Sequence, residues 1–103
     1  MIYTASKVKH AAKWLALRGE GVPIISTWID EAGAGETSDW GDLWVRCVRE
    51  ASTAKAVLVY AEDGERLKGA LVEVGAALAF GVPVYVVLNG CGDAAELAAQ
   101  LGS

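Results

Sequence analysis

The chain has 103 residues, of which 53% are hydrophobic and 21% are charged, and its formal net charge is −4. This composition excludes a disordered polypeptide and is typical of one folded domain, 1–103. The acidic balance without a basic cluster argues against a nucleic acid polymer as partner. Two cysteines and one histidine lack metal-ligand spacing, so neither a metal nor another cofactor is expected. The first residues lack the features of a signal peptide, which predicts a cytoplasmic protein.

The first half of the chain predicts two strands and two helices. Residues 2–5 form a short strand, and a helix follows over about 7–18, with an inner face of Val8, Ala11, Ala12 and Leu15. A second strand is expected at 23–28. The polar residues 29–38 are interpreted as an active-site lid, and a helix then runs to about residue 52.

The second half begins with an apolar run at 56–60, which predicts a strand buried on both faces. A charged turn over 61–68 leads into a helix from Gly69 that carries Glu73. A fourth strand is expected at 83–88 and a last helix at 94–101. No internal repeat or linker interrupts this order.

Alternating strands and helices predict an α/β fold with a parallel sheet and helices on both faces. We expect a flavodoxin-like sheet of four strands in the order 2-1-3-4. Ligands of such sheets bind beyond the carboxyl ends of the strands, at the switch point. That crevice would be lined by residues 3–7, which include Ser6 and Lys7, by the turn 61–69, which includes Asp63, and by Glu73.

Glu73 is the one carboxylate between Gly69 and Leu88 in an otherwise apolar stretch. A membrane span is excluded, because Gly81 and Pro83 stop the helix and a strand-like run follows. Two interpretations of the carboxylate stay open. It is either a functional group in the crevice or one half of an ion pair with Lys7, Lys68 or Arg66.

The sequence around Glu73 resembles the nucleoside 2-deoxyribosyltransferase superfamily, which includes the deoxynucleoside 5′-monophosphate N-glycosidases. The resemblance covers about residues 1–88. Its hallmark is a Glu-x-Gly-x-Ala helix followed by Gly-x-Pro and a strand, which here reads Glu73, Gly75, Ala77, Gly81 and Pro83. A tyrosine in the first strand of the family is matched by Tyr3.

The resemblance implies N-glycosidic bond cleavage or deoxyribosyl transfer on a nucleoside or nucleotide. Glu73 would be the nucleophile and Tyr3 would orient it, while Ser6 and Lys7 would approach the sugar or its 5′-phosphate. The chain departs from the family where a catalytic aspartate is usual. Cys47 occupies that position, and Asp42 or Glu50 is expected to substitute for it.

The remaining predictions concern binding and assembly. Trp40 and Trp44 lie four residues apart on one helix, either as a stacking surface for a base or as a dimer seam, and the seam is favoured. Asp63 and Gly69 are candidate substrate-binding residues. A homodimer is expected, because the helix that carries Glu73 is apolar on nearly every side. A binding module without turnover and a glycohydrolase of the nicotinamide–ribose bond are the alternative functions.

Overall fold

The computed structural model describes residues 1–31, 40–88 and 91–102, apart from the side chains of residues 40 and 91. It is an α/β structure with a sheet of three parallel strands. The strands and helices, in chain order within each class, are β1 (Ile2–Ala5), β2 (Ala56–Ala61), β3 (Val84–Leu88), α1 (Ala11–Gly19), α2 (Trp28–Glu31), α3 (Trp40–Thr53), α4 (Gly69–Ala79) and α5 (Cys91–Gly102).

The sheet is centred on β2, which lies between β1 and β3. All six residues of β2 are buried, as its apolar run predicts, because each face of the strand is covered by helices. Tyr60 packs against the ring of Trp14 on α1, and α5 lies on the same face. Tyr3 is in register with Val57 and points to the opposite face, where α3 and α4 pack.

The predicted four-stranded sheet is not confirmed, because residues 23–28 contribute a single parallel bridge between Ile2 and Ile24. Beyond it, side chains replace the backbone as partners of β1. The hydroxyl of Ser26 accepts the Thr4 N–H at 2.7 Å, and the indole of Trp28 donates to the Thr4 carbonyl at 2.8 Å. With both backbone groups of Thr4 satisfied in this way, the ladder stops and the chain turns into α2.

The inner face of the first helix also differs from the prediction. Val8 and Leu15 are exposed, whereas Ala11 and Trp14 are buried together with His10. The reason is a 3₁₀ turn at Val8–His10, which has about three residues per turn and delays the α-helix to Ala11. The buried side of the helix is thereby rotated.

Among the described residues, no helix is long and apolar enough to cross a bilayer. The 11 residues of α4 fall well short of the roughly 20 that a membrane span needs.

The junction at Thr4 gives a stability prediction. Ser26→Ala removes the acceptor of a buried N–H, since Ser26 is fully buried. We expect the free energy of unfolding to fall by about 1–3 kcal/mol in urea titrations. Ser52→Ala is the control, because the Ser52 hydroxyl donates to the Arg49 carbonyl at an exposed position. Equal stability of the two variants would contradict the role assigned to Ser26.

Candidate functional site

The site is built on a contact between β1 and α4. Tyr3 is completely buried, and its hydroxyl donates to Glu73 Oε1 at 2.5 Å. Glu73 itself is only 9% exposed. The two residues are 70 positions apart, and the sheet register together with the packing of α4 brings them together. Tyr3 and Glu73, two of the predicted site residues, are therefore in direct contact.

The electrostatics of this pair are set by burial. Burial raises the pKa of Glu73, and the hydrogen bond from Tyr3 opposes that rise by stabilising the charged form. The pKa of Tyr3 is also raised, first by burial and then by the neighbouring Glu73 charge, so the phenol stays protonated and donates. Across the described part of the chain, Glu73 forms no ion pair, and the alternative of a structural pair is not realised there.

A cavity of about 290 Å³ opens beside Glu73, between α3, α4 and the turn after β1. Most of its wall is apolar and includes two indoles. The apolar side chains lining it are those of Val8, Trp28, Leu43, Trp44, Val48, Leu67, Ala70 and Val72. The polar ones are those of Ser6, Lys7, Cys47, Lys68 and Glu73. A cavity of this size with few polar groups is typical of small-molecule sites.

Cys47 lies where the resemblance expects an aspartate. It is buried and lines the cavity beside Tyr3 and Glu73. Burial raises the pKa of the thiol to about 11, and the Tyr3 hydroxyl only partly offsets this rise. Near neutral pH the group is therefore a neutral thiol, with neither the charge nor the acidity of a carboxylic acid.

Neither candidate substitute for that aspartate lines the cavity. Asp42 is mostly exposed and accepts a hydrogen bond from Arg46 Nε at 2.9 Å. Arg46 also binds Glu31, and Glu50 accepts hydrogen bonds from the backbone N–H and the hydroxyl of Thr27. The contacts of Arg46 and Glu50 join α3 to Thr27, just before α2, and to Glu31 at its end, so these charges hold the two helices together.

The structure places the other predicted site residues as follows. Ser6, Lys7 and Gly69 line the cavity, while Asp63 is not among the residues that line it. Of the lid expected over residues 29–38, residues 29–31 belong to α2 and the remainder lies outside the described residues, as does the side chain of residue 40. Trp44 lines the cavity with 61% of its surface exposed.

Trp28 is a site residue that the sequence analysis missed. It was assigned to the end of a strand, yet its indole contacts the end of β1 and forms part of the cavity wall. The sequence offered one indication of this position, because Trp28 lies at the carboxyl end of a predicted strand, beside the expected crevice.

A second polar cluster holds the turn after β2 against the 3₁₀ turn. His10 Nε2 lies 2.9 Å from Glu65 Oε2, and Lys9 and Lys13 pair with Glu65 and Glu62. A backbone N–H from Glu62 and the neighbouring cations lower the pKa of Glu65 to about 2. The two lysines already neutralise these carboxylates, so the cluster acts as a clamp that positions one rim of the cavity.

No family model, curated protein or solved structure matches this chain.

The Tyr3–Glu73 contact predicts a pH effect. Tyr3→Phe removes the donor that stabilises ionised Glu73, so the pKa of Glu73 should rise further above the ordinary value of 4.5. A raised folded-state pKa means that the folded protein holds its proton more tightly than the unfolded chain. Stability is therefore lost as the pH rises from about 4.5 through the folded-state pKa.

We accordingly expect Tyr3→Phe to lose more stability at pH 8 than at pH 5, measured by urea unfolding with the Glu73 carboxyl carbon followed by NMR. Adding Glu73→Gln to Tyr3→Phe should abolish this pH dependence. An unchanged Glu73 titration in Tyr3→Phe would disprove the assigned role of the hydroxyl.

Proposed function

We propose that this protein cleaves or transfers the N-glycosidic bond of a deoxynucleoside or nucleotide, with Glu73 as the nucleophile. The observation that carries the proposal is a buried carboxylate, held by one hydrogen bond from Tyr3, at a cavity of about 290 Å³. The reaction would be that of the nucleoside 2-deoxyribosyltransferase superfamily. A flavodoxin-like 2-1-3-4 order, in which the chain around Ile24 lies as the outermost strand beside β1, and a cytoplasmic setting are part of the same proposal.

The chemistry requires one free carboxylate oxygen and one that is held. Tyr3 binds Oε1 of Glu73, which leaves Oε2 to attack the anomeric carbon of the sugar. The C–N bond breaks, its electron pair leaves with the base, and a glycosyl ester forms on Glu73. Water or an acceptor base then attacks the same carbon and releases the Glu73 carboxylate, and the proton that the attacking molecule loses balances the proton that the departed base takes up. Burial leaves this carboxylate poorly solvated, which favours attack once it is ionised.

The walls of the cavity fit the parts of a nucleotide. Trp28 and Trp44 offer flat apolar surfaces for a base. Lys7 and Lys68 line the same cavity, and neither forms an ion pair within the described residues. In a chain of net charge −4, two such cations at one rim favour an anionic group on the ligand. We assign them to a 5′-phosphate, next to Gly69 at the start of α4.

One observation favours the alternative of a binding module without turnover. Glu73 is the single carboxylate among the described residues that line the cavity. Asp42 is engaged with Arg46, and Cys47 is a neutral thiol. No second carboxyl group among the described residues therefore lines the cavity to protonate a departing base. A cationic nicotinamide leaves without needing a proton, so its riboside belongs in any substrate panel.

The decisive variant is Glu73→Gln, which preserves shape and removes the attacking charge. Free-base release from a panel of deoxynucleosides, their 5′-monophosphates and nicotinamide riboside should fall by about 10³-fold or more, as for other lost nucleophiles. Thermal stability should be retained, because the substitution strands no cationic partner.

The matched control is Glu96→Gln, which makes the same change on the exposed side of α5 and should leave turnover unchanged. Turnover of Glu73→Gln within tenfold of the wild-type rate would refute the nucleophile. Ligand binding by the wild type without release of any base would instead support the binding module.

The assignment of Lys68 to a phosphate can be tested separately. Lys68→Ala should weaken binding of a nucleoside 5′-monophosphate roughly 10- to 100-fold, in line with the loss of one charged hydrogen bond. Binding of the nucleoside without phosphate should barely change. Lys55→Ala, at the opposite end of β2, is the control for net charge, and titration calorimetry measures all three proteins. An equal loss for nucleoside and monophosphate would contradict the assignment.

A further inference from the structure

The outer sides of α4 and β3 carry large apolar side chains with no cover among the described residues. Leu71 and Leu78 on α4 are 60% and 62% exposed, and Val86 and Leu88 on β3 are 60% and 65% exposed. We call these four residues the open face.

The sheet register shows that the open face is continuous. Val87 pairs with Tyr60, which faces α1, so Val86 and Leu88 point to the opposite side of the sheet. That is the side on which α4 packs, and α4 lies over both β2 and β3. The exposed residues of the helix and the strand therefore border the same groove.

The outward edge of β3 is equally uncovered. Within residues 1–31, 40–88 and 91–102, β3 pairs with β2 alone. Its sequence, Val-Tyr-Val-Val-Leu, contains no charge, proline or glycine. Proteins that leave a sheet edge in solvent usually protect it with such residues. An edge without them is suited to pairing with another strand.

Charge and area both identify a second copy of this chain as the partner. The open face contains no ionisable group, and the nearby Glu73 is buried on the opposite side of α4, so two copies meet without repulsion despite the net charge of −4. The four side chains of the open face expose on the order of 400 Å², and pairing of the two β3 edges with packing of the two α4 helices buries further surface, so the contact approaches the about 800 Å² per partner of a standard stable interface.

We propose that two copies of the chain associate around a two-fold axis through antiparallel pairing of their β3 edges. The sheets then join into one of six strands, and the two α4 helices lie side by side above the junction. The interface is independent of the proposed chemistry, since it uses the side of α4 that faces away from Glu73.

The spacing of the elements fits this arrangement. Strands are about 4.8 Å apart, and a helix centred over β2 and β3 lies about one strand spacing from the two-fold axis. The two copies of α4 would then be roughly 10 Å apart, which is a normal distance between packed helices. Gly75 and Ala79 lie on the exposed side of α4, and nothing lies within 4 Å of where a Cβ of Gly75 would be, so close approach meets no obstacle.

The test is the oligomeric state of the full chain by sedimentation at protein concentrations on the order of tens of micromolar. The wild type should be a dimer. Val86→Lys and Leu78→Glu each place a charge in the interface and should weaken dimerisation on the order of 10²-fold or more. Both positions are exposed in a single copy, so the far-ultraviolet circular dichroism should not change.

Val45→Lys is the matched control, because Val45 on α3 is 57% exposed and lies outside the open face. It should stay dimeric. A monomeric wild type, or a dimer broken by Val45→Lys and not by Val86→Lys, would overturn the proposal. Hydrogen exchange supplies the second readout: backbone amides of β3 should gain protection as the wild-type concentration rises. A dimer whose β3 amides stay unprotected would rule out edge pairing.

Discussion

The burial of β2 on both faces is the constraint on which the rest of the structure depends. β2 consists of Ala, Val, Leu and Tyr and contacts helices on both faces. Because its side chains supply almost no polar partners, its backbone N–H and C=O groups must bond to a neighbouring strand on each side. Its position therefore decides where β1 and β3 lie and which way their side chains point. The single polar atom at its end, the Tyr60 hydroxyl, donates to Glu62 and so starts the clamp around His10 and Glu65.

The candidate site follows from that constraint. Because β1 is in register with β2, Tyr3 points to the same side of the sheet as Val57, beneath α4. The helix must bury one side against the sheet, and Glu73 lies on that side between Ala70 and Ala77. A carboxylate in this position loses its water, and one phenol compensates for only part of that loss. The result is a poorly solvated carboxylate held at a cavity wall by the same packing that stabilises the fold.

The sequence predicted the parts of the molecule that depend on hydrophobic pattern. The buried β2 and the α4 helix with Glu73 follow from periodicity and chain order, and of the crevice expected between residues 3–7, the turn 61–69 and Glu73, the parts at 6–7, 67–69 and Glu73 line the cavity. Features that depend on individual hydrogen bonds could not be predicted in this way. Residues 24–28 have the composition of a strand, yet Ser26 and Trp28 bind Thr4 through their side chains and end the pairing. Asp42 lies about one turn from Cys47 and was therefore a candidate substitute for the missing aspartate, but an arginine on the next turn holds it.

Ser26 and Trp28 end the strand pairing on the outer side of β1, and this limits how the sheet can extend. Beyond the bridge at Ile24, the outer side of β1 has its backbone groups occupied by side chains, so that margin offers little to a further strand. The sheet thus has one edge, at β1, whose backbone groups are occupied, and one edge, at β3, whose backbone groups are open to pairing. Two copies paired in the proposed way, through their β3 edges, would leave only occupied edges outside, so a third copy would find no open edge. A sheet with two open edges could instead add copies without limit, whereas the proposed pairing would close after two copies.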